Sequence, residues 1–199
     1  MKQVLIETQL FKPSKGLLSE GKMSERGNPL VHGILATCEV ENGNGRYYSE
    51  KLWKREIDKY MDLVKQNRAC GELDHPESQV VNLKNVSHNI KDINWDGKNI
   101  MGTIEILPTP SGNILKALID SGITVGVSSR GMGSLEQKGD LMEVQDDFEL
   151  LCWDFVSTPS NPGSFMTLKE GKENNINIYA KANSIVTEIL CANGNCPIF

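Results

Sequence analysis

The chain has 199 residues, 39% of them apolar and 24% charged, with a formal net charge of −5. That is enough apolar material for one sizeable domain plus tails, and it excludes a wholly disordered chain. The acidic balance, with no basic stripe, argues against a nucleic-acid binder, and no apolar run approaches the roughly 18 residues of a membrane span.

In chain order, residues 1–8 read as a short strand whose apolar stretch is too short for a signal peptide, which points to a reducing cytoplasm. Residues 9–29 are polar and rich in Gly, Ser and Lys, as in a flexible arm. Val31 to Val40 is a β-prone core strand, and Asn42-Gly43-Asn44-Gly45 a turn. Ser49 caps a helix in which Leu52, Trp53, Ile57, Tyr60, Met61 and Val64 keep a 3.6-residue rhythm. Residues 79–93 and 98–107 alternate as strands around an Asp96-Gly97 hairpin turn. Pro108 to Pro110 break the chain, and Ile114 to Ile119 form a short amphipathic helix that Gly122 closes.

Strands follow at Ile123–Ser128, Leu141–Val144 and Phe148–Ser157, with Lys138-Gly139-Asp140 as a turn. From 169 to 199 the chain is a polar, Asn-rich tail, so residues 1–168 are expected to form the domain. Strands with interleaved helices and no repeat define an α+β fold, readable as a β-barrel with helices packed outside. The five cysteines are odd in number and scattered, and the three histidines do not pair with them at ligand spacing. Neither a disulfide framework nor a metal is expected, and nothing calls for a cofactor.

Two segments carry chemistry. In Gly71-Glu72-Leu73-Asp74-His75-Pro76, the proline biases His75 toward extended backbone, where it can offer one ring nitrogen to a hydroxyl and the other to an orienting group. In Gly126-Val127-Ser128-Ser129-Arg130-Gly131-Met132-Gly133, two serines leave an apolar strand for a glycine-rich stretch. Alternation puts Ser128 and Ser129 on opposite faces, so one of them is the nucleophile. Ser129, Arg130 and Gly131 are the candidate oxyanion donors, Arg130 through its side chain and the glycines by freeing backbone N–H groups. A surface-turn histidine and a polar β-turn are the alternatives for these segments. The segment does not match the Gly-x-Ser-x-Gly elbow of α/β-hydrolases.

Asp154, between Trp153 and Phe155, is the best third member, because a carboxylate buried in an apolar strand needs a partner. Glu72 is a weaker candidate for that role, and His88 either supports the site from behind or packs across strands. His32 is read as structural. Cys70, five residues before His75, lacks any feature that lowers a thiol pKa.

These residues, with Asn44-Gly45-Arg46-Tyr47-Tyr48, Val86-Ser87-His88 and Asp154-x-Val-x-x-Pro-Ser, together resemble the prohead core proteases of T4-type tailed phages, from about Ile34 to Thr167. The resemblance implies a serine endopeptidase with the herpesvirus assembly-protease fold, a β-barrel ringed by helices. It implies action in the host cytoplasm inside the procapsid, on scaffold or core proteins and the major capsid protein, cleaving after Glu with an aliphatic residue two positions earlier. His75 is then the general base and Ser128 the preferred nucleophile, with Ser129 as the alternative. Asp154 falls where related enzymes place an acidic residue, and His88 is the alternative third member because the herpesvirus enzymes use a second histidine. Leu18-Ser19-Glu20-Gly21 matches the implied cleavage pattern, so self-cleavage between Glu20 and Gly21 is expected, whereas Val186-Thr187-Glu188-Ile189 is a poorer match. The competing reading is a non-catalytic scaffold or core component of the procapsid. Residues 170–199 carry no such resemblance, and the sequence does not reveal the oligomeric state.

Overall fold

The computed structural model describes residues 3–6, 23–74, 76, 78–139, 141–157 and 166–168. Eleven strands and two helices lie among them. In chain order they are β1 (Gln3–Ile6), β2 (Leu30–Thr37), β3 (Arg46–Tyr47), α1 (Glu50–Lys65), β4 (Cys70–Glu72), β5 (Val86–Asp96), β6 (Asn99–Ile106), α2 (Pro110–Asp120), β7 (Gly126–Gly133), β8 (Leu135–Lys138), β9 (Leu141–Val144), β10 (Glu149–Val156) and β11 (Met166–Leu168). The mixed α+β composition is as expected. The self-cleavage sequence around Glu20 and the tail from 169 lie outside the described residues.

One sheet runs β11-β2-β6-β5-β4, a second β1-β7-β10, and a small third β3-β9-β8. The two larger sheets meet where Leu73, just past β4, bridges Phe155 of β10 in parallel. Among the described residues no pairing joins β1 to β11, so the strands do not close into the expected barrel. Alternation reports which side of a strand is buried. It carries nothing about whether the last strand meets the first.

Helix α1 behaves as its rhythm predicts. Ser49 Oγ accepts from Leu52 N–H at 3.2 Å, and the face with Leu52, Trp53, Ile57, Tyr60 and Val64 is buried. That face packs on β10: Trp53 stacks with Trp153 at 6.1 Å between ring centroids, and Tyr60 meets Trp153 edge-on at 4.9 Å. Buried Glu56 accepts from Leu150 N–H at 3.0 Å and from Arg55 and Lys59 at 2.8 Å each, stapling the helix to the start of β10. Burial alone would raise the Glu56 carboxyl, but these three donors hold it below the ordinary value.

Several elements differ from the sequence reading, four of them near the site. The strand expected over 79–93 begins only at Val86, and Val80 and Leu83 stand exposed. Their alternation belongs to a polar-capped loop, in which Ser78 and Asn82 side chains accept from nearby backbone N–H groups. Strand β4, only three residues long, has too few positions to show a period. Helix α2 begins at Pro110, where a missing N–H costs nothing, and Thr109 Oγ1 accepts from Gly112 N–H at 3.0 Å. Strand β7 runs on through Ser128, Ser129, Arg130 and Gly131 to Gly133, so the serines sit inside a strand and do not leave it for a turn.

Candidate active site

β7 is the central strand of its sheet. β1 flanks it from Gly133 to Arg130, and β10 flanks it from Met132 down to Gly126. Between Gly126 and Ser129 only the β10 edge is paired among the described residues. In the β10 register Asp154 stands opposite Ser128, Trp153 opposite Ser129, and Cys152 opposite Arg130. Opposed residues of an antiparallel pair share a face, and alternation separates neighbours. One face therefore carries Ser128, Arg130, Cys152 and Asp154. The other carries Ser129 with Trp153 and Phe155, the aromatic layer under α1. Both serines are buried, Ser128 at 0% exposure and Ser129 at 8%, so what separates them is the company they keep.

The Ser128 face is polar and fully buried. Arg130 Nε lies 2.9 Å from Asp154 Oδ2, and Nη2 lies 2.8 Å from Glu72 Oε1 and 3.3 Å from Asp154 Oδ1. Nη2 also reaches Cys152 Sγ at 3.2 Å, and Nη1 donates to the Ser78 carbonyl at 2.8 Å. Asp154 Oδ1 accepts further from Glu72 N–H at 2.9 Å. Nη1 and Nη2 are thus hydrogen-bonded, and Nε is ion-paired with Asp154 without a hydrogen-bond partner. Two carboxylates surround one guanidinium, and Glu72 Oε2 has no hydrogen-bond partner. The cluster formally carries one negative charge in excess.

His75 lies outside the described residues. Its neighbours in sequence are tied to β10 and to Arg130. Asp74 N–H donates to Phe155 O at 2.8 Å, and Ser78 O takes the Arg130 hydrogen bond. Asn82 N–H donates to Glu72 Oε1 at 3.0 Å, which ties down the loop that follows.

His88 is buried at the seam of β5, β4 and β10. Its Nε2–H donates to Trp153 O at 3.0 Å, which leaves Nδ1 to accept from the Ser87 hydroxyl at 2.8 Å. Both ring nitrogens are occupied by its own surroundings. His32, on β2, pairs with Thr103 at 3.2 Å, consistent with a structural role. Gly131 and Gly133 lie in regular extended backbone and not in turns that aim N–H groups at an oxyanion. A Cβ on Gly131 would stand 2.4 Å from the Phe148 ring, so close aromatic packing explains that glycine. Glu72 and Cys152 were underweighted by sequence reasoning. The signal for Glu72 was available: Glu72, Arg130 and Asp154 are charges in strand-forming segments, and buried charges need one another.

His88 makes the fold acid-sensitive. Burial pushes its pKa down to about 4 from an ordinary 6.5, against the opposite pull of Asp154 and the Trp153 carbonyl. Between those values the unfolded chain binds a proton that the folded chain does not. Stability is therefore complete above pH 6.5 and falls toward pH 4, by about 3 kcal/mol across the window. Urea unfolding at pH 7 and pH 4.5 should show this loss in the wild type and not in His88→Gln. An identical pH dependence in both would refute it.

A buried serine opposite a carboxylate, with the segment bearing His75 tied to the strand that carries the carboxylate, is compatible with the hydrolase class. The comparisons narrow the class. The description "Prohead core protein serine protease" matches residues 8–176. The prohead core protein protease of Enterobacteria phage T4 is 32% identical over 145 residues, covering 70% of this chain and 68% of that one. The solved structure of the bacteriophage T4 capsid assembly protease superposes with a TM-score of 0.69 at 30% identity, covering 78% of this chain and 98% of the other. The chain belongs to the prohead core protein serine protease family, and it is a phage prohead protease.

Proposed function

We propose that the chain is a serine endopeptidase that matures the procapsid, with Ser128 as nucleophile, His75 as general base and Asp154 as the carboxylate of the site. The observation that carries this reading is the shared face: Ser128 stands opposite Asp154, Ser78, three residues after His75, is bonded there to Arg130, and Asp74, just before His75, is held to the β10 backbone at Phe155. Ser129 opposes Trp153 on the core face, which favours Ser128. Neutral His75 takes the Ser128 proton as Oγ attacks the substrate carbonyl, then returns it to the leaving amine, and water releases the acyl group. The excess negative charge of the Glu72–Arg130–Asp154 cluster stabilises the imidazolium formed in that step.

The oxyanion donor is assigned to backbone N–H beside Ser128, Ser129 foremost. Among the described residues Arg130 and Gly131 have ladder strands on both sides, whereas Ser129 has one. A single such donor is worth about 3–4 kcal/mol. The open sheet pair is read as a relative of the herpesvirus assembly-protease barrel. Substrates are the scaffold or core and capsid proteins inside the procapsid, cut after Glu in aliphatic-x-Glu-small sequences.

The chain's own Leu18-Ser19-Glu20-Gly21 is a substrate of the same kind. Purified protein incubated alone is expected to lose residues 1–20, as read by intact mass, and a Leu-x-Glu-Gly peptide to be cut after Glu. Replacing Glu by Gln in that peptide should lower kcat/KM by about 100-fold, since a pocket built for a charge leaves its own groups unpaired. Equal cleavage of both peptides would remove the specificity assignment.

A further inference from the structure

Arg130 is a costly residue to bury. A guanidinium at 0% exposure, paired with carboxylates also at 0%, loses much of its Coulombic gain to desolvation. What such a group supplies is geometry, because its planar fork can satisfy several acceptors at fixed angles. The acceptors here come from three separate parts of the chain. Glu72 ends β4, three residues before His75. Ser78 lies three residues after it. Asp154 sits on the strand that faces the nucleophile. Arg130 itself lies two residues along β7 from Ser128, on the same face. The Glu72 N–H to Asp154 contact and the Asn82 N–H to Glu72 contact extend the same network into the loop beyond.

We propose that Arg130 is a positioning residue: its buried fork, joining Glu72, Asp154 and the Ser78 carbonyl, holds the segment bearing His75 in register with the strand bearing Ser128. This rests on the reading of His75 and Ser128 as base and nucleophile. It gives the guanidinium a role other than contact with substrate. Lysine keeps the charge but offers a single ammonium, which cannot span acceptors on three segments.

Arg130→Lys and Glu72→Gln test this on the full chain, by cleavage of the Leu-x-Glu-Gly peptide and by residue-resolved amide exchange. Arg130→Lys is expected to lower kcat by about 100-fold, the order that an ångström of misplacement costs, with KM changed less than about threefold. Exchange protection should fall at least tenfold at Asp74 and Asn82 and stay at the wild-type level along β5 and β6. Glu72→Gln removes one arm only and should give about a tenfold loss of kcat. It carries the test if Arg130→Lys does not fold. Wild-type kcat with wild-type protection at Asp74 and Asn82 would overturn the proposal. So would a loss of protection spread evenly over all strands, which marks a general stability effect. Parallel Ser128→Ala and His75→Ala assays separate the two claims. If those variants stay active, the assignment of base and nucleophile fails, while the exchange data still judge the Arg130 clamp.

Discussion

Ser128→Ala is expected to abolish cleavage of a Leu-x-Glu-Gly peptide, lowering kcat by at least about 10⁴-fold, while Ser129→Ala stays within about tenfold of wild type. Removing the nucleophile of a serine hydrolase leaves only binding and oxyanion stabilisation, a small remnant of the rate enhancement. The asymmetry between two adjacent serines follows from the strand they share. Ser128 opposes Asp154 in the polar cluster, and Ser129 opposes Trp153 in the aromatic layer. A hydroxyl on the second face cannot meet a base on the first without a one-residue slip, which would turn every side chain of β7 over. Thermal unfolding of both variants should show that the loss is chemical, since trimming one buried hydroxyl costs about 1–2 kcal/mol. Full activity in Ser128→Ala with loss in Ser129→Ala would exchange the assignments.

Gly71→Ala is expected to be the most damaging single-methyl change in the site's framework, destabilising the fold by about 3 kcal/mol. A Cβ there would stand 1.9 Å from the Trp153 carbonyl oxygen and 2.4 Å from His88 Nε2. The nearer of these is backbone in the middle of β10, and the other is held in the hydrogen bond between His88 and that same carbonyl. Neither can step aside alone. Overpacking costs typically about 1–3 kcal/mol, and the upper end applies where backbone must move. The change also parts β4 from β10, and with them the Asp74 anchor, so kcat should fall alongside stability. Urea denaturation gives the stability change directly, and a midpoint equal to wild type would contradict the account.

The sequence was most legible where local physics acts alone. Ser49 with its 3.6-residue apolar rhythm specified α1, and Asp96-Gly97 specified the hairpin between β5 and β6, with Gly97 at φ 59°. Asp154, a carboxylate between two aromatics, announced a buried partner, and Arg130 is that partner. Reading failed where a local signal had two uses. The glycines at 131 and 133 suggested a loop and proved to be sites of close contact with Phe148. Pro110 suggested a break and proved to open a helix. The residues at 79–85 alternate like a strand yet form the loop after His75, because their polar side chains satisfy the backbone locally.

By itself, then, the sequence determined the α+β composition, the principal helix, the opposed faces of Ser128 and Ser129 and the family. Those depend on period, caps and motif order, which are properties of neighbours along the chain. The tertiary structure decided which face of β7 is polar, that the two larger sheets meet along β4 and β10, and that Arg130 is spent on Glu72, Asp154 and Ser78. Each of these depends on contacts between segments some 20 to 80 residues apart in sequence, set by packing that no local pattern encodes.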